Sequence, residues 1–158
     1  MLSVNKSKPL IAITLGDPSG IGPEIIAKAL SETDIHDIAR LFVLGSKESL
    51  DRAFKEVQSN TTTKIINTPS ATESSAQQIS VLETPNIMSN EFPIGELSLN
   101  SARASHTWVE TAGTLALNHE IDAIVTAPVN KEAWRAADIQ DTGHQEAFKM
   151  LSHSEYVA

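Results

Sequence analysis

Pro9 to Glu24 reads PLIAITLGDPSGIGPE. The first seven residues, Pro9 to Leu15, are a short apolar run with β-branched members, the pattern of a strand buried on both faces. GDPSGIGPE, Gly16 to Glu24, is a dense turn signal. PEIIAKAL then opens a helix. Pro23 suits the first helical position and Glu24 favours the positive end of the helix dipole. Ile25, Ile26, Ala29 and Leu30 form the apolar face of that helix. Buried strand, glycine-rich turn and helix in succession are the opening unit of an α/β fold.

The same alternation continues outward from this unit. Ala39 to Leu44 (ARLFVL) predicts a second buried strand, and Lys47 to Val57 a helix with Ser46 as its N-cap. Thr63 to Ile66 and Ile79 to Leu82 are short strand candidates, separated by a polar loop from Pro69 to Gln78. Two prolines and a glycine make Pro85 to Gly95 irregular. Leu97 to His119 is the longest helical candidate. Ala102, Ser105, Val109, Ala112 and Ala116 share one stripe, flanked by Trp108 and Leu115, and Gly113 weakens its middle. Ile121 to Thr126 (IDAIVT) reads as a buried strand, Lys131 to Ala137 as a short helix and Gly143 to Leu151 as another. Strands alternating with helices predict a largely parallel sheet covered on both faces.

Composition narrows the class. The chain has 158 residues, enough for one ordinary domain or a piece of a larger protein. Aromatics are only 4%, so the core rests on Ile, Leu, Val and Ala. A formal net charge of −8 with no basic stripe repels nucleic acid and anionic lipid. Solubility explains that charge, and a local site can still oppose it to take an anionic substrate. The chain has no cysteine, which excludes disulfides, thiolate metal sites and a cysteine nucleophile. No stretch approaches the roughly 18 apolar residues of a membrane span. The polar start and the short apolar run after it do not make a signal peptide, so a cytoplasmic location is expected.

In open α/β sheets, ligands gather at the carboxyl ends of strands. Three segments qualify. In the first, Gly16, Gly20 and Gly22 precede a helix without the G-x-G-x-x-G or G-K-[ST] spacing. The loop either brings backbone N–H groups to an anion or is simply a tight strand-to-helix turn. In the second, Thr126 to Lys131 (TAPVNK), Lys131 either pairs with a phosphate or carboxylate or is a solvated residue at a helix start. In the third, Asp141 to Glu146 (DTGHQE), His144 either donates to an anion at a helix N-terminus or caps the helix. His36, His106, His119 and His153 share no face with metal-ligand spacing.

Ile11 to Ile25 (IAITLGDPSGIGPEI), Ile124 to Ala133 (IVTAPVNKEA) and Gly143 to Glu146 (GHQE) together resemble the 4-hydroxythreonine-4-phosphate dehydrogenase family, in its order and at about its spacing. The resemblance covers the chain from Pro9 to its end. It implies the three-layer α/β fold of the isocitrate and isopropylmalate dehydrogenases, here incomplete: two domains around a cleft, paired as a homodimer. It also implies oxidation of the secondary alcohol of a phosphorylated hydroxy acid with NAD or NADP, in vitamin B6 synthesis. A divalent metal (zinc, magnesium or cobalt) polarises the alcohol in that family.

The resemblance also implies site residues. His144 matches the His of the family's G-H-T-E motif, which contacts the substrate together with its Thr. Gln145 stands in place of that Thr, so an amide replaces a small hydroxyl. Asp17 and Lys131 lie in the two strand-end loops and are assigned to the active site on that ground. The family's metal-binding histidines sit in T-H, N-P-H-A-G and Y-H-D-Q-G segments, and none of these strings occurs in this chain. The expectation is therefore the amino-terminal portion of a two-domain dehydrogenase, with the carboxyl-terminal half absent. Ser154 to Ala158 (SEYVA) reads as the start of a further strand. Two alternatives stay open: a fragment of a dehydrogenase for four-carbon sugar-acid phosphates such as threonate or erythronate 4-phosphate, and a phosphate-ligand-binding module without chemistry.

Overall fold

The structure, a computed structural model, describes residues 8–73, 75–85, 87 and 92–155. Five strands form one parallel sheet: β1 (Leu10–Thr14), β2 (Arg40–Leu44), β3 (Thr62–Ile66), β4 (Gln78–Leu82) and β5 (Ala123–Thr126), in the order β3-β4-β2-β1-β5. Six helices connect or flank them: α1 (Gly22–Leu30), α2 (Asp34–Ile38), α3 (Lys47–Glu56), α4 (Leu99–Leu117), α5 (Lys131–Ala136) and α6 (His144–Ser152). A 3₁₀ turn, Pro69–Ala71, interrupts the polar loop between β3 and β4.

The strand order fixes the layers. The steps from β1 to β2 and from β2 to β3 move toward one edge, whereas the step from β4 to β5 runs back toward the other. Parallel crossovers are right-handed, so α1 and α3 cover one face and α4 the opposite one. The contacts agree: α1 packs on α3, and α4 packs on α5 and α6. Wholly buried Leu15, Leu30, Phe42, Leu44 and Phe54, with Trp108, form the main core. A smaller cluster of Ala102, Val109, Ala133, Trp134, Ala137 and Ala147 lies among α4, α5 and α6. Gly113 belongs to this packing. A β-carbon there would lie 2.7 Å from Leu151 and 3.3 Å from Phe148, so the glycine that weakens α4 as a helix is what lets α6 dock.

Helix caps are supplied locally. The side-chain oxygens of Ser46, Ser98 and Asn130 accept from the backbone N–H of Ser49, Ser101 and Ala133, at the starts of α3, α4 and α5.

One expectation needs correction. The IDAIVT strand is not buried. β5 lies at the sheet edge with Ala123, Val125 and Thr126 exposed, because an apolar run shows that a strand exists but not whether a neighbour covers it. The short helix α2 also goes unread, since five residues carry too little periodicity. Of the strand expected from Ser154 onward, residues 156–158 lie outside the described residues. Ser154 and Glu155 lie outside the strands and follow left-handed His153, at φ 52°. The irregular segment expected from Pro85 to Gly95 is only partly described.

The β5 edge has a consequence in solution. Val125 is 52% exposed, and beside it Gly113, Ala116, Leu117, Ile124, Phe148 and Leu151 line a mainly apolar groove of about 190 Å³. An uncovered edge with apolar flanks is a template for association. The 158-residue chain is expected to associate with rising concentration in sedimentation experiments, and Val125→Lys to suppress this. A wild-type chain that stays monomeric at high concentration would contradict it.

Candidate functional site

The adjacent strands β1 and β5 send their following helices to opposite faces of the sheet, α1 to one and α5 to the other. The crevice beyond their carboxyl ends is thus a topological switch point, the usual ligand position in such sheets. All three segments singled out from the sequence converge on it.

The first loop is clasped to the second. Gly16 leaves β1 with a left-handed backbone (φ +72°), and a β-carbon on it would lie 2.4 Å from the carbonyl oxygen of Pro128. The next N–H, that of Asp17, donates to this same carbonyl at 2.9 Å. Asp17 then folds onto its own loop. Its carboxylate accepts from the N–H of Ser19 at 2.9 Å, and its carbonyl accepts from Gly20 at 3.0 Å. The Oγ atoms of Ser19 and Ser101 are 2.5 Å apart, which pins the loop to the first turn of α4, and Arg52 donates to Pro18 O at 3.2 Å. Burial raises the Asp17 carboxyl above its ordinary range, opposed by the Ser19 hydrogen bond. Asp17 thus helps hold the loop in shape.

Lys131 and His144 come together on the other side of the loops. Lys131 begins α5 and its stem lies over Gly143. A β-carbon at 143 would come within 3.2 Å of Lys131 Cε and 3.5 Å of Nζ. The absence of a side chain there lets the ammonium sit beside His144, the first residue of α6. Burial lowers the His144 pKa below its usual 6.5; the backbone of Ala127, in the β5 loop, raises it and the charge of Lys131 lowers it further. Nε2 of His144 is buried and has no hydrogen-bond partner among the described residues. The Oγ1 of Thr14, at the end of β1, shares that condition in a fully buried residue. Buried polar atoms are normally satisfied, so these two atoms stand out among the described residues.

Gln145 follows His144 on α6 and is exposed. The structure thus joins Lys131 and His144, gives Asp17 a loop-holding role and leaves Gln145 at the rim. The sequence reading missed Trp134, whose ring meets that of His144 edge-on with centroids 6.2 Å apart. Nothing local in AWRAA signals this contact. Among the described residues no three His, Cys, Asp or Glu side chains come together as a metal site. No helix among them is long and apolar enough to cross a membrane.

The depressed His144 pKa has a testable sign. The free ring is mostly neutral at pH 7, and an anion at Nε2 favours the protonated ring. Binding then takes up a proton, so affinity rises as pH falls toward and below 6.5. Sulfate is a suitable probe because its charge is constant across this range. Its affinity for the chain is expected to be higher at about pH 6 than at about pH 8, in titrations bracketing the ordinary histidine range. An affinity that does not change with pH would exclude His144 as the group met by the anion.

The sequence and fold match known proteins along nearly the whole chain. The family model described as pyridoxal phosphate biosynthetic protein PdxA matches residues 37–158. A Trichlorobacter lovleyi protein named 4-hydroxythreonine-4-phosphate dehydrogenase is 35% identical over 149 residues, covering 94% of this chain and 44% of the relative. A Symbiobacterium thermophilum protein named "Putative D-threonate 4-phosphate dehydrogenase" is 32% identical over 148 residues, with the same two coverages. The crystal structure of a 4-hydroxythreonine-4-phosphate dehydrogenase from Burkholderia phymatum matches with a TM-score of 0.89 at 30% identity. That match covers 96% of this chain and 46% of the other. The chain spans a little under half the length of the relatives it matches.

Proposed function

We propose, because this chain belongs to the family of the pyridoxal phosphate biosynthetic protein PdxA, that it supplies the substrate-binding side of an active site that oxidises a phosphorylated hydroxy acid with NAD or NADP. The chain is then the amino-terminal portion of a two-domain enzyme that works as a homodimer. The observation that carries this reading is the buried Nε2 of His144, without a partner among the described residues, beside the Lys131 ammonium. Protonated, the ring donates to an anionic oxygen of the substrate, and Lys131 adds positive charge at the same place. The hydrogen bond from Asp17 N–H to Pro128 O holds together the two loops that frame the crevice.

The divalent metal implied by the family does not fit the residues described, which contain no group of ligands for it. Its ligands, and most of the nicotinamide site, are assigned to the remaining half of the enzyme. What this chain does is bind and orient the substrate.

Two substrates are favoured by particular observations. The Trichlorobacter lovleyi relative is named for 4-hydroxythreonine 4-phosphate. The Symbiobacterium thermophilum relative is named for D-threonate 4-phosphate, and Gln145 replaces the family's usual Thr next to His144. The test is a fusion of this chain to the remaining half of a relative, assayed for NAD and NADP reduction with both substrates and added magnesium, zinc or cobalt. Reduction that depends on substrate and metal is expected from the fusion, and none from the 158-residue chain alone. In the fusion, Gln145→Thr should shift preference toward 4-hydroxythreonine 4-phosphate. A correctly folded fusion that reduces neither nucleotide with either substrate would overturn the reading.

A further inference from the structure

His144 is the last of a series of groups that hold one another in place. Behind it stands Trp134, which is completely buried. The indole N–H of Trp134 donates to Ser105 Oγ at 2.8 Å, and that hydroxyl donates to Ala102 O at 2.9 Å. A second ring meets Trp134 edge-on: His106 of α4, with centroids 5.1 Å apart and planes at 89°. His106 is itself held by a hydrogen bond at Nε2, with a second carboxylate near Nδ1. Nε2 is 2.7 Å from Asp141 Oδ2, and Nδ1 is 3.3 Å from Glu110 Oε2. Asp141 lies three residues before His144, in the segment joining α5 to α6. The pair of His106 and Asp141 therefore ties α4 to the segment that delivers His144.

This arrangement does more than fill space. An imidazole paired with a carboxylate in a half-buried position gains little stability over an apolar contact, because both groups lose water. What it does supply is direction. The terminal torsion of a histidine ring is soft and roughly two-fold, so its plane is set by neighbours. The ring of His144 has such a neighbour in Trp134, at 6.2 Å and an interplanar angle of 62°. Trp134 in turn is fixed by Ser105 on its N–H and by His106 against its ring.

We propose that Trp134, braced by the pair of His106 and Asp141, is a positioning residue that fixes the His144 ring so that its Nε2 stays buried, unbonded and ready for the substrate's anionic group. This rests on the reading of His144 as the anion's partner. The brace is formed entirely within this chain and exists before any ligand arrives. The ring plane is thus set in advance and need not be ordered on binding.

The test is a set of double-mutant cycles on the full chain, with sulfate as the probe and affinity read by titration calorimetry. Trp134→Leu and His106→Leu are each expected to weaken sulfate binding by roughly tenfold, within the coupling range of contacting residues. In a His144→Ala background the same two changes should alter sulfate affinity no further. Trp134→Phe, which keeps an aromatic edge, should retain most of the wild-type affinity. Losses of equal size in both backgrounds would show general loosening and overturn the proposal, as would no loss in either single variant. If Trp134→Leu does not fold, the His106→Leu cycle decides alone. If His144→Ala itself leaves sulfate binding unchanged, the reading of the site fails first and the positioning role falls with it. If only His144→Ala weakens binding, the site stands and the brace does not.

Discussion

Replacing His144 with alanine, in the fusion to a relative's remaining half, is expected to lower kcat/KM for the phosphorylated substrate by about 10- to 150-fold. The basis is the buried Nε2 of His144, which has no hydrogen-bond partner among the described residues. A hydrogen bond from that ring to a charged oxygen contributes roughly 1.5–3 kcal/mol, and alanine removes it without leaving a buried group unsatisfied on the protein side. Because the contact is made to a remote anionic group in ground and transition states alike, most of the loss should appear in KM. Steady-state kinetics with the phosphorylated and unphosphorylated hydroxy acids separate the cases. The variant should lose its preference for the phosphorylated form, and an unchanged kcat/KM would reduce His144 to a helix-start residue.

Gly16→Ala is expected to destabilise the chain by about 2–5 kcal/mol. A left-handed backbone costs a residue with a β-carbon roughly 1–2 kcal/mol, and overlap in a packed site roughly 1–3 kcal/mol. The overlap here is with a backbone atom, Pro128 O at 2.4 Å, which already accepts the Asp17 N–H and cannot swing aside as a side-chain tip can. Relief requires the two strand-end loops to part, so ligand affinity and stability should fall together. Urea denaturation gives the number. A loss under about 1 kcal/mol would mean that the loops are not clasped as described. Gly143 offers a contrast. There a β-carbon would meet the far end of the flexible Lys131 side chain, with Glu146 Oε2 at 3.9 Å. Gly143→Ala should displace the ammonium and weaken anion binding with little effect on stability.

Much of this fold is legible in the sequence because short apolar runs and turn residues are local signals. PLIAITL followed by GDPSGIGPE marks β1, its loop and α1, and the structure places them with only a residue or two of difference at their ends. The position of β5 was not legible. Whether IDAIVT is central or at an edge depends on which strands flank it, and that is a property of the whole sheet. Lys131 and His144 could be singled out because each follows a strand-end or glycine-containing motif. Their supports could not. Trp134 bonds to Ser105, 29 residues away, and His106 pairs with Asp141, 35 residues away, with no periodicity linking either pair. Asp17 was legible only by the loop it lies in. That its carboxylate accepts the Ser19 N–H could not be read from the sequence.

The most direct test is a crystal structure of the fusion with 4-hydroxythreonine 4-phosphate or D-threonate 4-phosphate bound, and the measurement is the distance from His144 Nε2 to the nearest ligand oxygen. A distance of about 2.7–3.2 Å, with Lys131 Nζ turned toward the same anionic group, is the expected result. A ligand seated away from the carboxyl ends of β1 and β5, with His144 Nε2 still unbonded, would contradict the assignment of this crevice as the substrate site.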